Sequence, residues 1–320
     1  MRRALVGGVR LKPSEALRFL VGLAAAVIVL GLIALRVTSC APAPKPAPVP
    51  GPPPISAPPP LPAPPLPATA CDAGPAAAAA ANAASLRTLA WSPFGRAEVG
   101  WETYVPMIAR EIRTTCPPAS PGFAAAFAAW EVGQKLPADG ILDDAAFQRM
   151  KGLTYTRRPF VEIVARKICP DPPPLSQLEV SQPGEGYSGK KILLRPAAFA
   201  AWRRMVAAAK AEDPRIAADP RNLTIFSGFR DPNADAARCN AEGNCQGVVR
   251  AACSAHRTGL AIDMYVGQAP GYGPDSSADP NRLYMSYTPS YRWLVANADR
   301  FGFVPYPFEP WHWEWTGEQP

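Results

Sequence analysis

Proline constrains this chain more than any other residue, because 15 of its 41 prolines fall between Ala41 and Ala70. Proline lacks an amide donor and fixes φ, so this segment cannot lie inside a helix or a sheet. Its alternation of proline with small apolar residues favours polyproline II, in which the segment could reach roughly 90 Å. We predict a Pro/Ala-rich linker over 41–85, either as a semi-rigid spacer or as a disordered tail. Its end, Ala76–Ala84, is expected to begin a helix.

The segment before the linker is apolar and uncharged from Phe19 to Leu35. Its 17 residues are at the short end of a membrane-spanning helix. Five basic residues precede it and only Arg36 follows closely, which predicts a cytoplasmic N-terminus. We therefore interpret residues 1–40 as a cytoplasmic tail and transmembrane anchor. A cleaved signal peptide and a lipoprotein modified at Cys40 are the alternatives, and all three export the remainder.

The positive charge of the chain is concentrated at its N-terminus. Residues 1–70 hold seven Lys/Arg and one acidic residue, out of the total of 33 and 26. Residues 71–320 are therefore almost neutral, with 26 basic and 25 acidic residues. A basic surface that follows phosphates is not supported, so we predict no nucleic-acid partner.

Six of the seven cysteines lie on the exported side of the predicted anchor. An exported chain meets an oxidising compartment, so three disulfides are expected, with fifteen pairings open. No C-x-x-C pair is present, which argues against a cysteine zinc site. Cys239, Cys245 and Cys253 are expected to cross-link the polar segment 231–252, which we predict as a loop.

Residues 86–170 are expected to form a helical region. Phe123, Phe127 and Trp130 recur at helical spacing, and Asp143 is a plausible N-cap for a following helix. The run from Val132 to Met150 resembles the repeat of small helical peptidoglycan-binding-like domains. A generic helical subdomain is the alternative, and the proline-rich sequence after Cys169 marks its end.

Residues 171–320 intersperse helical and strand patterns, which predicts an α+β domain with a small antiparallel sheet flanked by helices. The expected helices are Arg195–Glu212 and Tyr291–Phe301, and the expected strands are Leu223–Phe226, Gly259–Val266 and Trp311–Trp315. The last strand alternates strictly, with three tryptophans predicted to face the core and His312 and Glu314 on the other face.

The chain has two histidines, His256 and His312, and each lies in a dense polar motif. Imidazole and carboxylate are suitable zinc ligands, and a catalytic zinc site uses three protein ligands plus a water. Asp263 alternates away from its apolar neighbours on the predicted strand, and a buried carboxylate is costly unless it is paired or metal-bound. We therefore predict His256, Asp263 and His312 as zinc ligands.

Together, S-x-H-x-x-G-x-A-x-D (254–263) and E-P-W-H-W (309–313) resemble the signature of VanY-like D-alanyl-D-alanine carboxypeptidases. That family is grouped with the VanX dipeptidases and the phage L-alanyl-D-glutamate endopeptidases. Ser227–Arg230 is similar to the S-G-[YF]-R element of the family, and Tyr291–Phe303 to its W-L-x-x-N-A-x-x-F-G-F helix. The resemblance covers roughly residues 180–317. The three cysteines near 239–253 are outside the common pattern and put the position of the substrate in doubt.

The resemblance implies a zinc cleft in which His256, Asp263 and His312 are the ligands. It implies that Glu309 is the general base and that Arg230 stabilises the substrate carbonyl and the developing oxyanion, roles that suit these side chains. Glu314 is a competing base, or else a rim or supporting residue. Ser254 and Arg257 are candidate substrate-binding residues.

These features predict a zinc metallopeptidase of peptidoglycan stem peptides, first of all a D-Ala-D-Ala carboxypeptidase. An endopeptidase of the same mechanism, a non-catalytic wall-binding protein and a metal-stabilised interaction module are the alternatives. The expected location is the bacterial inner membrane, single-pass, with the domain 171–320 on the periplasmic side. Peptidoglycan peptides and the membrane are the predicted partners, and no oligomeric state is predicted.

Overall fold

The computed structural model describes residues 71–166, 168–243, 253–306 and 309–318. The predicted anchor and most of the predicted linker, up to Ala70, lie outside these residues. In the described part of the chain, no helix is both long enough and apolar enough to cross a membrane. All described residues belong to one compact unit.

Most of the short helices begin with a proline, and several have a side chain that caps their first amides. In the described ranges the α-helices are α1 (Ala76–Ser85), α2 (Val105–Glu111), α3 (Pro121–Gln134), α4 (Asp144–Thr156), α5 (Pro159–Ala165), α6 (Pro196–Glu212), α7 (Pro214–Ala217), α8 (Pro232–Glu242), α9 (Asp279–Ser286) and α10 (Pro289–Asn297). Asp143 caps α4 as predicted, since its carboxylate accepts a hydrogen bond from the amide of Ala146 at 2.7 Å. Proline at the first position of most of these helices leaves no amide unsatisfied there.

The strands are short and pair antiparallel. They are β1 (Ala90–Trp91), β2 (Glu98–Val99), β3 (Glu179–Val180), β4 (Leu193–Leu194), β5 (Ile225–Ser227), β6 (Ala261–Met264), β7 (Phe303–Pro305) and β8 (His312–Trp315). β1 pairs with β2 and β3 with β4, while the main sheet has the order β5-β6-β8-β7. This confirms the mixed fold with small antiparallel sheets. The hairpin β1–β2 also adds strands to the region that we predicted as helical.

The helical region and the main sheet share one hydrophobic core. Phe147 of α4 and Trp313 of β8 belong to the same buried cluster. Trp311, Trp313 and Trp315 are all buried, as the alternation predicted. α4 contacts β7, the neighbour of β8, and strand alternation places His312 and Glu314 on the face of β8 opposite Trp313. The division at 170/171 stays a prediction.

The segment 231–252 was expected to be a loop cross-linked by its own cysteines. Residues 244–252 lie outside the described residues, and in the described part the prediction was wrong in two respects. Residues Pro232–Glu242 form α8, because the carboxylate of Asp231 caps the amides of Asn233 and Ala234 and Gly243 ends the helix with φ +63°. Cys253 pairs with Cys169, which ties this segment to the proline-rich stretch at 170–174. A second disulfide joins Cys71 to Cys116, and Cys239 is also disulfide-bonded.

Candidate metal centre

Strand pairing brings two of the predicted ligands together. β6 and β8 are antiparallel neighbours, and their register places Asp263 opposite His312. Both side chains are buried, and Oδ1 of Asp263 lies 2.9 Å from Nδ1 of His312. Directly opposed residues on one sheet face are close enough to interact, so the register itself builds this half of the site.

The third predicted ligand comes from a 3₁₀ turn, Ala255–Thr258, immediately before β6. The hydroxyl of Ser254 accepts a hydrogen bond from the amide of His256 at 3.2 Å and begins the turn. Gly259 ends it with φ +71°, a conformation that favours glycine. The turn directs Nε2 of His256 to within 3.2 Å of Oδ2 of Asp263.

The three side chains fit a metal ion. One ligand atom from each of His256, Asp263 and His312 can be chosen so that all three lie within 4.8 Å of one another. The outer nitrogen of each imidazole has its own partner. Nδ1 of His256 is 2.7 Å from the carbonyl of Gly228, and Nε2 of His312 is 3.4 Å from Oε1 of Glu314. Such outer partners orient metal-binding histidines, and three protein ligands leave a fourth position for water.

The charged groups of the site shift the pKa values of the candidate ligands. Burial alone would raise the pKa of Asp263, but His256 and His312 outweigh it and hold that pKa well below its usual range. Burial alone would lower the pKa of His312, yet hydrogen bonds to Asp263 and Glu314 raise it to about 9. Burial lowers the pKa of His256. Two carboxylates therefore concentrate negative charge around His312.

Arg230 and Glu309 flank the three candidate ligands. The guanidinium of Arg230 donates to Oδ2 of Asp263 and to the hydroxyl of Ser227, both at 2.9 Å. Glu309 lies in the turn before β8, and its carbonyl accepts a hydrogen bond from the amide of His312 at 3.0 Å. Burial raises the pKa of the Glu309 carboxyl, although the charges of His312 and Arg230 oppose the shift. The structure thus brings both predicted catalytic residues to the site.

Glu314 lies beside His312 but is held by another residue. Arg158 donates to Oε1 of Glu314 through Nε at 2.8 Å and also through Nη2, and the amide of Phe160 donates to Oε2 at 3.1 Å. Burial would raise the pKa of Glu314, but His312 and Arg158 lower it to about 2. A carboxylate held in this way supports its neighbours better than it accepts protons. Sequence reasoning missed Arg158, since 156 residues separate it from Glu314.

The two candidate substrate-binding residues lie on the turn that carries His256. Ser254 caps that turn, and the guanidinium of Arg257 lies against Sγ of Cys169, the disulfide partner of Cys253. Their role in substrate binding stays a prediction.

The fold and the donor set define an α+β domain with a buried site for a metal ion. Residues 191–318 match the family model of VanY, D-alanyl-D-alanine carboxypeptidase, which confirms the resemblance that the motifs indicated. The match supports a carboxypeptidase-like hydrolase.

Two solved structures are similar to this chain. The LdcB LD-carboxypeptidase structure, which concerns peptidoglycan recognition, is 22% identical, covers 44% of this chain and 68% of that chain, and has a TM-score of 0.31. A mutant of the vancomycin-resistance D,D-pentapeptidase VanY in complex with Zn(II) is 22% identical, covers 45% and 82%, and has a TM-score of 0.26. Among the curated proteins, no significant match was found.

Proposed function

We propose that this protein is a zinc-dependent peptidase that hydrolyses peptidoglycan stem peptides, with D-Ala-D-Ala carboxypeptidase as the first candidate activity. The observation that carries the proposal is the convergence of His256, Asp263 and His312, whose ligand atoms lie within 4.8 Å of one another. The VanY family match over residues 191–318 supports the same reaction class.

The residues around the ligands suit peptide hydrolysis. Bound zinc supplies a water of lowered pKa and polarises a carbonyl. The carboxylate of Glu309 would accept the proton of the attacking water and deliver a proton to the leaving amine, and its raised pKa favours this exchange. The guanidinium of Arg230, held by Ser227, would meet the negative charge that develops on the carbonyl oxygen.

The location is part of the proposal. The disulfides Cys71–Cys116 and Cys169–Cys253 support an oxidising compartment. With Phe19–Leu35 as an uncleaved anchor, the protein would be a single-pass protein of the bacterial inner membrane with this unit on the periplasmic side. Its substrate would then be the peptides of the cell wall.

The test uses the full chain, purified oxidised in mild detergent, and defined muropeptides that end in D-Ala-D-Ala. Products are identified by mass spectrometry with and without a chelator. Loss of one D-alanine that the chelator abolishes supports the carboxypeptidase. A different chelator-sensitive cut keeps the mechanism and changes the specificity to an endopeptidase. No cleavage by the zinc-loaded protein would contradict the proposal and favour a wall-binding protein.

A further inference from the structure

A chain of contacts leads from the helical region to the candidate metal centre. Arg158 lies between α4 and α5, more than thirty residues before the VanY match begins at 191. Its side chain is 6% exposed and that of Glu314 is 2% exposed. Arg158 donates to Oε1 of Glu314, the same oxygen that lies 3.4 Å from Nε2 of His312. The guanidinium is thus two contacts away from the imidazole of His312, whose other nitrogen, Nδ1, faces Asp263.

A second route joins Arg158 to His312 through an aromatic ring. The guanidinium of Arg158 lies over the ring of Tyr306, 4.1 Å from its centroid. The ring of Tyr306 in turn meets the imidazole of His312 edge-on, with the centroids 5.6 Å apart. A planar guanidinium pairs with a carboxylate through its fork and stacks on an aromatic face, whereas an ammonium group is a point charge without that fork.

We propose that Arg158 is a positioning residue of this metal site, which holds Glu314 and Tyr306 against His312. This keeps Nε2 of His312 turned outward and Nδ1 turned towards Asp263. The inference rests on the proposed function in taking the site as zinc-binding. Because Arg158 belongs to the helical region, that region would contribute a residue to the metal site itself.

Four variants separate a positioning role of Arg158 from a general effect on stability. Arg158→Met leaves Glu314 as a buried charge without its partner, which destabilises a fold whatever the pair does. The double variant Arg158→Met/Glu314→Leu removes both charges, and such apolar replacements often keep or improve stability. Arg158→Lys keeps the charge but loses the fork geometry. Arg157→Met is the matched control, because Arg157 is exposed and pairs with Glu111.

Zinc affinity is measured for the full chain by competition with a fluorescent chelator, beside the unfolding midpoint. We expect Arg158→Lys and the double variant to fold and to bind zinc about 10- to 100-fold more weakly, as is usual when an outer partner of a ligand is lost. With zinc in excess, kcat should fall while KM for the muropeptide is unchanged. Arg157→Met should behave as the wild type.

A metal-free measurement separates this inference from the proposed function. The chain has two histidines, so the imidazole signals in a ¹H–¹⁵N spectrum are assigned with a single substitution. We expect a slowly exchanging Nε2 proton of His312 in the wild type that is lost in Arg158→Lys and in the double variant.

The wild-type protein could bind no zinc and still show a slowly exchanging Nε2 proton of His312 that depends on Arg158. That result would overturn the proposed function and leave the positioning role intact. Folded Arg158→Lys and double variants with wild-type zinc affinity and an unchanged His312 signal would overturn the positioning role.

Discussion

Nδ1 of His256 lies 2.7 Å from the carbonyl oxygen of Gly228, which follows β5 and precedes His256 by 28 residues. A contact with a carbonyl requires Nδ1 to carry the proton, so Nε2 is the nitrogen left to face Asp263. The backbone at Gly228 therefore determines which atom of His256 can bind a metal. Gly228 has no room for a side chain, since a Cβ atom there would lie 2.6 Å from Cγ2 of Ile192 and 2.7 Å from the carbonyl oxygen of Leu193.

The first prediction concerns this glycine. Gly228→Ala must displace the backbone, so we expect the zinc affinity to fall about 10-fold or more. The free energy of unfolding should fall by about 1–3 kcal/mol because of the crowding. Chelator competition and urea unfolding measure the two effects.

Gly152→Ala in α4 is the control, because a Cβ atom there meets nothing within 4 Å. We expect it to keep zinc affinity and to gain about 0.5–1 kcal/mol of stability. Wild-type zinc affinity in Gly228→Ala would show that the carbonyl does not orient His256.

The second prediction tests the general base. Glu309→Ala should keep the fold and bind zinc, because Glu309 is not one of the three converging ligands. The rate of cleavage should fall by about 10²–10⁴-fold, since no other carboxylate replaces the proton acceptor. Glu318→Gln, which alters a partly exposed carboxylate paired with Arg195, is the matched control. Retained turnover in Glu309→Ala would exclude Glu309 as the base.

The third prediction tests the ligand assignment. His256→Ala should lose stoichiometric zinc, measured by elemental analysis after dialysis, because two protein ligands hold the ion too weakly. Ser254→Ala is the neighbouring control, which loses a cap of about 1 kcal/mol but leaves the three ligands in place. Unchanged zinc content in His256→Ala would contradict the assignment.

The fourth prediction concerns pH and a residue far from the zinc ligands in the sequence. The carboxyl of Glu131 in α3 is buried and accepts a hydrogen bond from the amide of Gly140 at 2.9 Å. Burial raises its pKa from 4.5 to about 7, and the charges of Asp139 and Asp143 add to the shift. Because the folded state binds the proton more tightly, its contribution to stability is complete below about pH 4.5 and is lost as the pH rises through about 7.

Glu131→Gln should remove this contribution to the pH dependence. Urea unfolding of the wild type and the variant between about pH 4.5 and about pH 8 measures the difference. We expect the stability of the wild type, relative to the variant, to fall over this range. Parallel curves for the two proteins would show that Glu131 does not titrate with the raised pKa.

Much of the site could be predicted from local patterns. Strict alternation from Trp311 to Trp315 separated the core face from the face of His312, since successive side chains of a strand point to opposite sides. Asp143 was a predictable cap because capping depends on residues only three positions apart. The ligands were predictable because two motifs hold the only histidines of the chain, and the register of β6 and β8 then places Asp263 opposite His312.

Local patterns failed where the sequence was read as too polar to form structure. The segment after Asp231 was expected to depend on its cysteines, yet Asp231 and Gly243 provide the two ends of α8. A cap and a C-terminal glycine are signals in the sequence itself, so this helix was within reach of the same reasoning.

Contacts between distant parts of the chain were decided by packing alone. Nothing near Arg158 indicates that it binds Glu314, and nothing near Cys169 selects Cys253 over the other cysteines. The Arg158–Glu314 pair is buried, whereas Cys169 is exposed, so it is the folded path of the chain that brings each pair together. Residue types and their spacing thus determined which chemistry the chain can carry. The tertiary structure decided which distant side chains hold that chemistry in place, because that depends on three-dimensional proximity and desolvation.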